Sequence, residues 1–168
     1  MNLCGPLIAE LQNESVTTRK ILERVPQGSL QWKPHEKSRS LGEIASHIAN
    51  LPGLFIAPIG RDGFDRSEYE AVSALDVTNI LKSFDENIAG AVHALKGLSD
   101  EKLMGLWRYT FGGKIIFEAP RLVVLRATAL NHIIHHRGQL SVYLRLLDIA
   151  LPPFYSPRPD SCINLLAL

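Results

Sequence analysis

Apolar positions recur three and four apart over four long stretches of the chain, which is the period of amphipathic helices. In residues 7–25 the stripe is Leu7, Leu11, Val16, Ile21 and Leu22, closed by Pro26-Gln27-Gly28-Ser29. Trp32-Lys33-Pro34 reads as loop. The second helix has the clearest start. Ser40-Leu41-Gly42-Glu43 fits a capping box, with Ser40 as N-cap and Glu43 reaching back. Leu41, Ile44, Ile48 and Leu51 then form a core face, and Pro52-Gly53 kinks or ends the helix because Pro52 lacks a donor. Residues 60–67 are polar and glycine-containing and read as a loop. A third helix is predicted from about residue 76 to residue 96 on Ile80, Leu81, Phe84, Ile88, Val92 and Leu95, with Gly97 as its stop. Ser99-Asp100-Glu101-Lys102 reads as a short helical turn.

Residues 106–111 and 114–117 flank Gly112-Gly113, the pattern of a β-hairpin. A fourth helix starts around Pro120, a residue favoured at the first helical position, and runs to about residue 148. The proline-rich segment 151–159 cannot be helical. The expected fold class is all-α: a four-helix bundle in one domain, residues 1–168, with a short β-hairpin before the last long helix.

Composition changes this picture little. A chain of 168 residues with 46% apolar and 21% charged positions belongs with ordinary globular proteins and can bury a core without staples. A net charge of +1 gives no electrostatic footprint for nucleic acid. No apolar run is long enough to span a membrane, and Met1-Asn2-Leu3-Cys4-Gly5-Pro6 lacks the basic start and apolar core of a signal peptide. Cys4 and Cys162 lie near opposite ends, and neither has a Cys-x-x-Cys partner. They read as reduced thiols of a cytoplasmic protein.

The chemistry concentrates in Asn131-His132-Ile133-Ile134-His135-His136-Arg137-Gly138-Gln139-Leu140. On a helix His132 and His136 share a face, one turn apart, and can hold two corners of a transition-metal site. The same face continues to Gln139 and Tyr143, which offer hydrogen bonds, and back to Ala129 and Leu125, which are apolar. His135 points about a hundred degrees away and stands outside that site. Arg137 leaves the metal face, as a salt-bridge partner or a helix-surface charge. His47, on the second helix, is the candidate for a third ligand. Glu43 or Asn50, each about a turn away, could orient its ring, although Glu43 is also claimed by the capping box. A plain helix-face histidine is the other reading of His47. His93 has only Ala89 and Gly97 as turn neighbours, and His35 sits beside Glu36 and Lys37 in a loop, so both read as non-ligands. No nucleophile elbow, phosphate-binding loop or dinucleotide fingerprint is present.

This histidine segment, followed by Tyr143-Leu144-Arg145-Leu146 and Pro152-Pro153-Phe154-Tyr155, resembles the DinB/YfiT-like family of metalloenzymes. The block from Trp32-Lys33-Pro34 to Ser40-Leu41-Gly42-Glu43-Ile44-Ala45-Ser46-His47 is a second match. The resemblance implies a four-helix bundle with a divalent metal held by His47, His132 and His136. It also implies kinship with thiol-dependent S-transferases and a thiol-dependent isomerase. In the tail, Tyr155 is followed by Ser156-Pro157-Arg158 where the family often has Gly-Pro and acidic residues, a departure that bears on substrate contacts and not on the metal.

Three neutral imidazoles suit zinc, nickel, copper or iron(II) and disfavour magnesium and calcium. An open position would accept water, giving a hydrolase with Glu43 as the nearest general base, or a thiol. The thiol reading comes from the resemblance. A third class is a non-catalytic metal-binding stress-response protein. The partners expected are a small-molecule substrate and a low-molecular-weight thiol, with no nucleic acid and no membrane; a homodimer stays open.

Overall fold

The computed structural model describes residues 3–71 and 76–155. The helices are α1 (Cys4–Leu22), α2 (Leu41–Leu51), α3 (Val77–Lys96), the short α4 (Asp100–Met104), α5 (Arg121–Val124) and α6 (Asn131–Leu146). The strands are β1 (Gly63–Asp65), β2 (Leu106–Phe111) and β3 (Lys114–Pro120). The fold is mostly helical with a small sheet. Helix α3 packs on α1 and α2, and α6 packs on α2 and α1. The core between them holds Leu11, Ile21, Leu41, Ile44, Ile48, Leu51, Ile80, Phe84, Leu140 and Leu144, all at most 1% exposed.

Local chemistry sets the helix starts. Both bonds of the Ser40–Glu43 capping box form: the Glu43 backbone N–H donates to Ser40 Oγ (3.1 Å), and the Ser40 N–H donates to Glu43 Oε2 (2.5 Å). Asp76 and Ser99 cap α3 and α4 with one bond each, their side chains accepting from Thr78 N–H and Lys102 N–H. Pro52 does not end its helix. The chain widens into a π turn, Pro52–Ile56, in which Ala57 N–H donates to Pro52 O five residues back. That geometry tolerates a residue with no N–H of its own. Gly53 in this turn lets Asn87 and Tyr69 come close, since a Cβ there would lie 2.3 Å from Asn87 Oδ1 and 2.9 Å from Tyr69 Oη and would push those side chains aside. A second π turn, Leu125–Leu130, joins α5 to α6, so the predicted fourth helix is one column with a widened segment. Pro120 is the residue before its first turn.

The structure corrects the all-α expectation at the sheet. The hairpin forms as predicted, with Gly112 and Gly113 both at positive φ. A third strand, β1, pairs parallel with β2, and it lies in the segment read as loop. With three residues and only Phe64 buried, β1 has too short a pattern to see. The Asp65 side chain at its end accepts from Gly112 N–H and Gly113 N–H (3.0 and 2.8 Å), fastening the turn. Those donors hold its carboxyl well below the usual carboxylate range, with Ser67 contributing most.

Helix α1 corrects the predicted stripe. It begins at Cys4, and Val16 is 56% exposed. The buried seam runs Cys4, Leu7, Leu11, Glu14, Thr18, Ile21, alternating steps of three and four. Two of its members are polar because they face Arg137, which is 1% exposed rather than a surface charge. The Arg137 guanidinium pairs with the Glu14 carboxylate at 2.7 Å and donates to Thr18 Oγ1 (3.1 Å), Glu14 O (3.2 Å) and Tyr155 Oη. Tyr155 Oη in turn donates to Glu14 Oε2 (2.9 Å), and Phe154 and Tyr155 lie under the guanidinium. Cys4 is buried with its thiol 3.7 Å from Leu98 O, and Cys162 lies outside the described residues.

Replacing Arg137 by Met is expected to destabilise the fold by about 3–5 kcal/mol, because the buried Glu14 carboxylate loses its counter-charge. Chemical denaturation of Arg137→Met, Glu14→Leu and the double variant checks this. The double variant should recover much of the loss. A loss below about 1 kcal/mol in Arg137→Met, the range of an exposed pair, contradicts it.

Candidate metal centre

His47 rides on the core face of α2, between Ile44 and Ile48. His132 and His136 stand one turn apart on α6. Packing of α6 on α2 brings the three half-buried rings together. Ring centroids are 5.1 Å apart for His47–His132, 4.5 Å for His47–His136 and 4.7 Å for His132–His136. One ring nitrogen from each lies within 4.8 Å of the others, and these three residues form the group.

Hydrogen bonds fix which nitrogen carries the proton. His132 Nδ1 lies 3.2 Å from Thr128 O. A carbonyl only accepts, so Nδ1 is the donor and Nε2 keeps the lone pair in the neutral ring. His136 Nδ1 lies 2.6 Å from Gln139 Oε1, with the same consequence. Burial depresses the basicity of all three rings. It takes His47 down to about 3, with the Arg39 charge as the next cause, and His136 down to about 4 against the opposing bond to Gln139. His132 is lowered by burial as well, partly offset by its bond to Thr128. The rings are therefore uncharged at neutral pH, as metal ligands must be.

The residues fit a transition metal. His47 Nε2 and His132 Nε2 are 3.4 Å apart. That exceeds the roughly 2.7–3.2 Å of a good hydrogen bond. Two ligands about 2.05 Å from one tetrahedral centre lie about 3.3 Å apart. An imidazole-only donor set suits zinc, nickel or iron(II).

The polar neighbours read from the sequence, Glu43 and Asn50 beside His47 and Gln139 and Tyr143 beside His136, divide in the structure: one of them holds a ring. That one is Gln139, which accepts from His136 Nδ1. Glu43 is spent on the capping box, and its acidity is raised chiefly by the Ser40 N–H. Asn50 lines the adjoining cleft, donates to Ser46 O (2.7 Å) and accepts from Tyr69 Oη (3.0 Å). Tyr143 packs edge-on against Trp32, at 5.9 Å between ring centroids. His135 is exposed, its ring 4.9 Å from that of His136. His93 and His35 are exposed and away from the centre.

Sequence reasoning missed the walls of the cleft. Beside His47 and His132 it is lined by Arg39, Ser46, Phe55, Arg66, Tyr69 and Tyr109. The Phe55 ring lies 5.4 Å from Tyr109 and 6.2 Å from His132. For Tyr109 the signal was strand alternation, which puts it on the same face as Trp107, two residues earlier. Arg66 and Tyr69 lie in the 3₁₀ turn after β1 and carried no signal.

The DinB family pattern matches residues 2–161. The chain belongs to the DinB family. It is similar to the uncharacterized protein YjoA of Bacillus subtilis strain 168, at 28% identity over 158 residues, covering 90% of this chain and 96% of YjoA. The crystal structure of that DinB-like protein superposes with a TM-score of 0.72 at 23% identity, over 91% of this chain and 99% of the other. A DinB-like protein from Bacillus cereus ATCC 10987 gives a TM-score of 0.70 at 22% identity, over 89% and 95% of the two chains. These superpositions show a shared fold.

Metal retention separates the neighbouring histidines. After zinc loading and dialysis, His135→Ala should keep wild-type metal content, while His136→Ala should bind at least about 10-fold more weakly. Elemental analysis of both variants decides it, and equal loss in the two would contradict the assignment.

Proposed function

We propose that His47, His132 and His136 hold a divalent transition metal (zinc, nickel or iron) with one position open. On this reading the chain is a single four-helix-bundle domain and a cytoplasmic thiol-dependent S-transferase. The observation that carries it is the convergence of three uncharged imidazoles from α2 and α6, with no carboxylate or cysteine in the group among the described residues. Three ligands leave room for an exogenous one. When bound, such a metal would supply Lewis acidity and favour the ionised form of a thiol or water.

The chain's own residues do the rest. Thr128 O and Gln139 hold His132 and His136 in the tautomer that turns Nε2 to the centre. Phe55 and Tyr109 give the cleft an aromatic wall. Asn50 holds Tyr69, another lining residue, by accepting from its hydroxyl. Among the described residues the cleft offers no activated nucleophile of its own. Cys4 is buried beside Leu98, away from it. The substrate's electrophilic carbon would take a bond from the thiol sulfur, its leaving group departing with the electron pair and the thiol proton passing to solvent.

A hydrolase using water is the second reading. It needs a general base, and Glu43, the one acid lining the cleft among the described residues, is engaged by the Ser40 N–H and made less basic by it. That favours the thiol. The test is zinc-loaded protein with 1-chloro-2,4-dinitrobenzene, with and without glutathione, bacillithiol or mycothiol. The expected result is conjugation that rises with thiol and falls to the uncatalysed rate in His132→Ala. Ester or amide hydrolysis without thiol would establish the second reading, and inertness to both a metal-binding protein without turnover.

A further inference from the structure

The cleft in front of the histidines has a volume of about 510 Å³, suited to a small molecule. Two guanidiniums line it. Arg39, exposed at the rim just before the N-cap of α2, makes no hydrogen bond or ion pair with a described residue. Its charge bears on all three rings. Arg66 donates through Nη1 to Tyr69 O (2.8 Å), and its guanidinium carbon lies 5.5 Å from the Tyr69 ring centroid. That bond engages one of five N–H donors. The acid lining this cleft, Glu43, is turned to its own helix cap. Ser46 Oγ, which also lines the cleft, is buried and has no hydrogen-bond partner among the described residues. The chain as a whole carries a net charge of only +1, so the cationic lining is local.

Exposed arginines are most often solvated and do nothing more. Here the exposed Arg39 and the half-buried Arg66 line one concave site with aromatic walls; among the described residues its one lining acid is Glu43, which feels the Arg39 charge but has its carboxylate bonded to the Ser40 N–H. A forked donor beside an apolar wall is the arrangement that grips a planar anion. We propose that the cleft selects a small organic anion, its carboxylate or phosphate held by Arg39 and Arg66 and its body against Phe55 and Tyr109, in front of the histidines. Arg137, the other cation near the histidine motif, has no part in this because it is buried against Glu14. The inference rests on the metal-centre reading only for where the reacting atoms lie.

Anions are therefore titrated calorimetrically into metal-free full-length protein, so that no metal can hold them. The probes are succinate, inorganic phosphate and, as the neutral counterpart, succinamide. Succinate or phosphate should bind at least about 10-fold tighter than succinamide, and Arg39→Gln and Arg66→Gln should each lose about 10-fold, the scale of one charge-assisted hydrogen bond. Lys114→Gln, on the hairpin, should bind as wild type. Stronger phosphate binding points to a phosphorylated substrate, stronger succinate binding to a carboxylate. Arg39 is exposed, so its variant keeps the test decisive even where Arg66→Gln loosens Tyr69. Equal affinity for succinamide, or unchanged affinity in both arginine variants, overturns the proposal. Zinc titration of the same samples keeps the two readings apart. Zinc binding without anion binding overturns the anion cleft alone, and anion binding without zinc binding overturns the metal centre alone.

Discussion

The buried pair of Arg137 and Glu14 sets the rotation of α6, and the histidine cluster depends on that rotation. Arg137 directly follows His136, about a hundred degrees around the helix. With its guanidinium locked into the α1 seam by Glu14 and Thr18, His132 and His136 are turned toward α2. A buried ion pair contributes little net stability against apolar residues of the same volume, because two charges must leave water. Its use here is orientation. An apolar seam would tolerate α6 sliding or turning, whereas a charge on one helix and its counter-charge on the next define one register. The Tyr155 hydroxyl, bonded to both partners, ties the chain after α6 into the same knot.

The site follows from where that register places polar groups relative to burial. Rings half-removed from water lose their protons readily, so the cluster is a set of lone pairs without charge. The Nε2 atoms of His47 and His132 face each other at a separation too long for a good hydrogen bond and close to that of two ligands on one centre. The sheet supplies a different element. Tyr109 from β2 and the 3₁₀ turn after β1 bring an aromatic wall and Arg66 to the mouth of the cleft. Arg121, 3% exposed, holds that layer in place by donating to the carbonyls of Ile59, Arg61, Lys102 and Leu106.

Helix positions were readable from the sequence where one physical rule dominated. The α2 start followed from the Ser40–Glu43 box, the α3 limits from Asp76 and Gly97, and the hairpin turn from Gly112-Gly113. The histidine pair was legible because helical spacing alone puts His132 and His136 on one face. The misses share a cause, which is tertiary pairing. Glu14 and Thr18 do not look like core residues until Arg137 is placed against them. Val16 looks like one until the seam is known. Strand β1 exists because β2 offers it an edge, and its own three residues carry no alternation. The rim arginines belong to loops, whose positions no local pattern specifies.

X-ray absorption at the zinc edge of the zinc-loaded protein tests the central claim most directly. Three imidazole nitrogens at about 2.0–2.1 Å and one light exogenous ligand are predicted, with a sulfur scatterer at about 2.3 Å added when a low-molecular-weight thiol is supplied. A shell of oxygen ligands alone, or a sulfur shell without added thiol, would contradict the three-histidine centre.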